Sequence, residues 1–169
     1  MTDLNKLFSP LFLSDAEIRK VIELLFFSYR EFTSGPDKIL DKINFGRAHH
    51  RVIYFVGKKK QITIRNLLEI LQITKQSLSR VLNQLVKENY IEVSTGKDKR
   101  TKNLSLTIRG VELEKKLSDI QINRIKEIIK NADEKDINGF KKILYAMIDE
   151  KNQLQFNDLN KQSQCHKIS

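Results

Sequence analysis

The stretch from Thr63 to Gly110, TIRNLLEILQITKQSLSRVLNQLVKENYIEVSTGKDKRTKNLSLTIRG, limits the possible folds more than any other part of this chain. Within it the apolar spacing changes from a helical period to a two-residue period. Leu67, Leu68, Ile70 and Leu71 recur at helical spacing behind Thr63, a residue that can cap a helix start. Thr74 opens a second helix, in which Leu78, Val81, Leu82 and Leu85 at i, i+3, i+4 and i+7 form one stripe for burial. Ile91-Glu92-Val93-Ser94 and Asn103-Leu104-Ser105-Leu106-Thr107 then alternate as half-buried strands do. A short helix, a tight turn, a second helix and a hairpin with a basic tip outline a winged helix-turn-helix.

The outward side of the second helix carries Thr74, Lys75, Gln76, Ser77, Ser79 and Arg80, which are donors, acceptors and cations with no acid among them. A helix entering a major groove needs such a set, because Arg pairs with guanine edges and Gln with adenine, while Ser and Lys reach bases or phosphates. Base contacts come mainly from the N-terminal part of a recognition helix. The same residues on an isolated helix would be an ordinary solvated face; the neighbouring hairpin weighs against that. Its tip, Thr95 to Lys102, holds the cations Lys97, Lys99, Arg100 and Lys102 against the single acid Asp98. It is too short to cover a core and suits a reach across phosphates into a minor groove, where narrow A·T tracts attract Arg. Asp98, two residues before Arg100, is placed to pair with it and aim it.

Charge supports this reading through where it falls. From Lys58 to Gly110 there are twelve Lys and Arg against four Asp and Glu, a balance of +8, so the remainder of the chain carries only +2 of the total +10. Positive charge is concentrated where a nucleic acid would lie. A membrane-surface protein would instead carry it along one long amphipathic helix. No apolar run approaches transmembrane length, the N-terminus does not read as a secretion signal, and a cytoplasmic protein with no membrane partner is expected. The single cysteine, Cys165, rules out an internal disulfide framework.

Around this lobe the chain reads as helical additions. Residues 1–44 are expected to form an N-terminal arm and a dimerisation helix. The arm is apolar around Pro10, and Ser14-Asp15-Ala16-Glu17 has the S-x-x-E pattern of a capping box. The helix that follows runs to about Ser34, apolar round most of its girth through Ile18, Val21, Ile22, Leu25, Phe26, Tyr29 and Phe32, and Gly35-Pro36 ends it. Residues 45–110 form the DNA-binding domain, entered by a helix from about Asn44 to Val56 with Gly57 as its stop. Residues 111–151 supply two more dimerisation helices, one from the Thr107 cap to about Lys130 and one from about Glu134 to Lys151, separated by Asn131-Ala132-Asp133. Residues 152–169, rich in Asn, Gln and Lys, read as a flexible tail in which Leu154, Phe156 and Leu159 are the residues available to dock. The fold class is therefore mainly α with a small β-hairpin wing, and the surplus of apolar helix argues for a dimer.

Neither catalysis nor a cofactor is indicated. There is no glycine loop for phosphate, no Cys/His metal spacing and no nucleophile paired with a base. His49 and His50 are adjacent and point about 100° apart on a helix, so they cannot serve one metal from one turn; one buried and one near a phosphate or interface is the plainer assignment.

Three segments resemble the MarR family of transcriptional regulators. Asp98 to Gly110 is similar to its wing pattern D-x-R…L-x-L-T-x-x-G, Thr74 to Leu85 to its recognition helix, and Gly46-Arg47-Ala48-His49-His50-Arg51-Val52 to the RAHHRV stretch of its PetP-like subgroup. Lys99 departs slightly, because the family often has a second Arg there, and bidentate geometry is lost. The resemblance covers about residues 14 to 150. It implies a homodimeric, double-stranded-DNA-binding transcription factor reading a near-palindrome and acting as a repressor, with Arg100 in the minor groove braced by Asp98. It also implies a small anionic or aromatic effector between the dimerisation helices and the DNA-binding lobe, where Phe26, Phe27, Arg30, His49, Arg51 and Tyr54 would line the junction. Packing is the competing role for those residues. An architectural nucleoid protein with little sequence preference, and a winged-helix module for binding other proteins, remain the rival readings.

Overall fold

The computed structural model describes residues 14–59, 61–96, 98 and 100–164. Among them are seven helices and a three-stranded antiparallel sheet, in the order α1 (Asp15–Asp41), α2 (Arg47–Lys58), β1 (Ile62–Thr63), α3 (Ile64–Leu71), α4 (Lys75–Lys87), β2 (Ile91–Thr95), β3 (Lys102–Leu106), α5 (Ile108–Ile129), α6 (Glu134–Ala146) and α7 (Glu150–Gln164).

Local chemistry explains most of the boundaries. Ser14 and Glu17 form the reciprocal cap, with Ser14 N–H donating to Glu17 Oε2 at 2.9 Å. Thr63, Thr74 and Thr107 each accept a backbone N–H from three residues ahead, at 3.0, 3.1 and 3.1 Å. Such a cap is worth about 1 kcal/mol. Asn44, Gln72 and Asn89 take positive φ and turn the chain where α1, α3 and α4 finish; short polar side chains such as Asn tolerate that conformation best.

Three expectations change. Gly35-Pro36 does not end α1, which runs on to Asp41. Pro36 lacks the N–H that would bond Phe32 O; in the turn before it Thr33 Oγ1 donates to the carbonyls of Tyr29 and Arg30 at 3.1 Å, and Ser34 Oγ donates to Glu31 O at 2.8 Å. Thr33, Pro36 and Leu40 are buried, so packing holds a proline inside the helix. Gly35 serves close approach rather than termination, since a Cβ there would meet Ile120 of α5 at 2.7 Å. Next, α2 starts at Arg47 behind Gly46, because Asn44 lies in the left-handed turn. Last, the helix expected from Glu134 to Lys151 divides at Met147–Asp149, and the segment read as a flexible tail is helical from Glu150 to Gln164. Leu159 is buried, Gln72 Nε2 donates to Asn152 Oδ1 at 2.8 Å, and Lys58 Nζ donates to Asn160 Oδ1 at 3.1 Å. Leu154 and Phe156 stay exposed.

The sheet has the order β1-β3-β2. Leu104 on the central strand faces Ile62 on one side and Val93 on the other. The two-residue strand β1 carries too short an alternation to be legible in advance. Leu104 and Ile62 join Val52, Ile53, Val56, Leu67, Leu78, Leu85, Ile91 and Leu117 in one core, closed at the edges by Leu40 and Leu113. The start of α5 is fastened to the end of α4: Thr107 Oγ1 donates to Asn89 O at 2.6 Å, Thr107 N–H donates to Tyr90 O at 3.1 Å, and a Cβ on Gly110 would lie 2.0 Å from Tyr90 O. Only glycine fits there.

Candidate nucleic-acid interface

Burying Leu78, Leu82 and Leu85 turns the other side of α4 outward. Thr74, Lys75, Gln76, Ser77, Ser79 and Arg80 are all exposed. Two of them serve the fold: Thr74 Oγ1 accepts from Ser77 N–H and donates to Ser77 Oγ at 2.9 Å. Lys75, Gln76, Ser79 and Arg80 have no hydrogen-bond or ion-pair partner among the described residues. Their donors, acceptors and charges are therefore available to something outside the chain.

The wing grows from the same sheet. At its tip Gly96 N–H donates to Thr101 O and Thr101 N–H donates to Asp98 O, both at 2.8 Å. Asp98 Oδ1 accepts from the backbone N–H of Arg100 at 2.9 Å. The expected carboxylate–guanidinium pair is absent from the ion pairs of the described residues, so Asp98 shapes the turn through the backbone and leaves the Arg100 side chain exposed and unpaired. An Asp accepting the N–H two residues on is a common turn device; the sequence showed the pair but not which Arg100 donor it would use. Lys102 is exposed at the base of β3. Lys97 and Lys99 lie outside the described residues.

The junction of α1, α2 and α5 holds a groove of about 570 Å³. Of the junction candidates Arg51 and Tyr54 line it, together with Tyr29, Arg47, His50, Phe55 and Lys126, which sequence reasoning does not assign to it. Burial pushes His50 below its ordinary pKa, with neighbouring Arg51 pushing the same way against Asp37, and burial raises the Tyr54 hydroxyl. Arg47 donates through Nε and Nη2 to Asp37 Oδ2 at 3.0 and 2.8 Å. The remaining candidates fall elsewhere. Phe26 and Phe27 are exposed and meet edge to face at 5.5 Å, and the Arg30 guanidinium sits 4.8 Å over Phe27. His49 turns toward α4, where Nε2 lies 2.9 Å from Gln84 Oε1. A helical wheel can place Arg51 and Tyr54 near one another, but Lys126 reaches the groove only through the α5 packing, for which no local signal exists. No group of His, Cys, Asp and Glu suited to a metal occurs among the described residues, and none of their helices is long and apolar enough to cross a membrane.

Residues 43–101 match the sequence model of the MarR family. The chain is 44% identical over 140 residues to the HTH-type transcriptional regulator PetP of Rhodobacter capsulatus, spanning 82% of this chain and 84% of that protein. Among solved structures it resembles Streptococcus pneumoniae FabT in complex with DNA, with TM-score 0.68, 21% identity and coverage of 83% of this chain and 97% of that one. It also resembles a mutant MarR from E. coli complexed with operator DNA, with TM-score 0.62, 19% identity and coverage of 79% and 96%. At those identities the structural likeness speaks for the fold.

Proposed function

This chain belongs to the MarR family of transcriptional regulators, and from that premise we propose that it binds double-stranded DNA sequence-specifically as a homodimer and represses transcription from a near-palindromic operator. The observation that carries the reading is the unspent outward face of α4: Lys75, Gln76, Ser79 and Arg80, exposed and without partners among the described residues, next to a basic wing anchored in the same core. Thr74 and Ser77 set the helix start, whose N-terminal turn faces bases and phosphates. Arg100 enters the minor groove, Asp98 holds the wing turn, and Lys97, Lys99 and Lys102 contact phosphates. Homodimerisation covers the exposed apolar side chains of α1 and α6, among them Ile22, Phe26, Phe140 and Ile143. For an effector, the groove beside Arg51 and Tyr54 suits a small aromatic anion, with the guanidinium taking the anionic group.

The test is selection of bound fragments from a random duplex pool, followed by titration of the enriched duplex at two salt concentrations. The expected result is a palindrome with half-sites one helical turn apart, ~34 Å between recognition helices. Enrichment of A·T content alone, with a steep salt slope, would establish an architectural DNA binder instead. For the regulatory sign, purified protein should lower transcription from a promoter carrying that palindrome.

A further inference from the structure

The apolar stripe of α4 fixes how deeply the helix sits, but hydrophobic contact has no direction, so it sets the roll of the helix only loosely. Hydrogen bonds do have direction, and one imidazole supplies them. Gly46, the N-cap of α2, has no side chain with which to cap, and its N–H donates to His49 Nδ1 at 3.1 Å. With Nδ1 accepting, the ring hydrogen is on Nε2, where it donates to Gln84 Oε1 at 2.9 Å. That bond orients the Gln84 amide, whose NH2 group donates to Glu88 Oε1 at 3.1 Å and to Asn44 O at 3.4 Å. Phe45 lies flat on the imidazole, ring centroids 4.6 Å apart and planes 3° from parallel, and abuts Tyr90 edge-on at 5.1 Å. Every donor in this chain of contacts meets an acceptor in one tautomer only. The other tautomer, or the imidazolium, would place a second hydrogen against Gly46 N–H. Gln84 follows Arg80 by four residues and Gln76 by eight, so the anchored residue shares a side of α4 with two proposed base readers.

We propose that His49, in its neutral Nε2–H form, is a positioning residue for DNA recognition: through Gln84 it fixes the roll of α4 against α2 and thereby the aim of Gln76 and Arg80. This rests on the reading that α4 contacts DNA.

The test uses the full-length chain and the duplex that the unmodified protein enriches from the random pool. His49→Asn keeps an acceptor near the position of Nδ1 for the Gly46 cap but is too short to reach Gln84; Gln84→Ala removes the bond from the other end. Each variant should keep a thermal midpoint within a few degrees of the parent, lose roughly three- to tenfold in affinity, as expected for one hydrogen bond, and discriminate less between the enriched duplex and a scrambled one. The salt slope should not move, because no phosphate contact is lost. The double variant should be no weaker than the weaker single, since both remove the same bond. Nitrogen chemical shifts of the imidazole in the DNA-free protein should show Nε2 protonated and Nδ1 bare. Single variants with parental affinity and discrimination, additive losses in the double variant, or a proton on Nδ1 would each overturn the assignment. If the unmodified protein enriches no duplex, the DNA reading itself fails and takes this role with it; if it does and the variants bind alike, only the role of His49 fails.

Discussion

The lobe formed by α2, α3, α4 and the sheet buries most of its large apolar residues, whereas α1 from Asp15 to Glu31 buries none. Val52 and Ile53 on α2 are fully hidden, while Ile22, Leu24 and Phe26 on α1 are 60%, 64% and 64% exposed. Both helices are amphipathic and both carry β-branched and large aliphatic side chains. The difference lies in what supplies the second surface. For α2 it is the same chain, through α4, α5 and β3. The first half of α1 buries no residue, and α6 has none buried either, its Tyr145 meeting Phe156 of α7 edge to face while Phe140 and Ile143 stay exposed. An apolar stripe therefore says that a helix is to be covered and leaves open by whom. The lobe folds on its own contacts, and the outer helices carry apolar area that a second copy is proposed to bury.

The sharpest way to break this contrast is to damage the lobe where it has no room. Gly110→Val places a side chain into Tyr90 O, at a backbone contact that cannot yield, so the cost should reach or exceed the upper end of the ~1–3 kcal/mol typical of overpacking. Circular dichroism during urea titration should show a large loss of stability, with DNA binding lost in parallel. Next in size, Leu67→Ala and Phe26→Ala compare the two regions directly. Leu67 is fully buried, so its truncation should cost ~2–5 kcal/mol at any protein concentration. Phe26→Ala should leave the lobe intact and act mainly through the dimer, seen as a sedimentation coefficient that falls on dilution at higher concentrations than in the parent. Equal, concentration-independent losses for both would abolish the distinction.

On the DNA side, Arg100→Ala should weaken binding to the enriched duplex by ~1–3 kcal/mol without changing the thermal midpoint. Asp98→Ala should weaken it less, because Asp98 shapes the wing through the Arg100 backbone N–H rather than gripping the guanidinium. Parental affinity for Arg100→Ala would remove the wing from the interface. The smallest effect concerns pH. His50 has its folded pKa lowered from 6.5, mainly by burial. The unfolded chain therefore takes up this proton first, and stability should decline as pH falls through about 6.5 and below. His50→Gln should flatten that part of the stability profile measured by urea titration.

The lobe was legible in advance because its signals are local. Thr63, Thr74 and Thr107 declare helix starts within one turn, and Ile91 to Val93 and Leu104 to Leu106 alternate within a few residues. The outward set from Thr74 to Arg80 followed once Leu78 and Leu82 were assigned inward. What was missed depends on contacts distant in sequence. Pro36 stays inside α1 because Thr33 and Leu40 are buried with it, and nothing in Gly35-Pro36 itself reveals that. The helix α7 has a polar composition that reads as tail, and it is held by Leu159, Asn152 and Asn160 against residues far earlier in the chain. The groove residues Lys126 and Tyr29 meet only after α5 is laid on α1. That His49 turns to α4 rather than to the groove is hidden for the same reason: its partner, Gln84, is thirty-five positions away.

The close seat of Gly110 on Tyr90, with Thr107 bonded to Asn89 O, also has a mechanical meaning. It is a joint without slack between the end of α4 and the start of α5. Beyond that joint α5 is a stiff bar of 22 residues, about 33 Å long at 1.5 Å per residue. A tilt of only about 5° at the joint sweeps the Ile129 end through about 3 Å at that length. In the proposed dimer, the spacing of the two subunits and the attitude of the proposed recognition helix would thus be geared together, and a shift at the far end of the bar would reach the base of the wing reduced in travel.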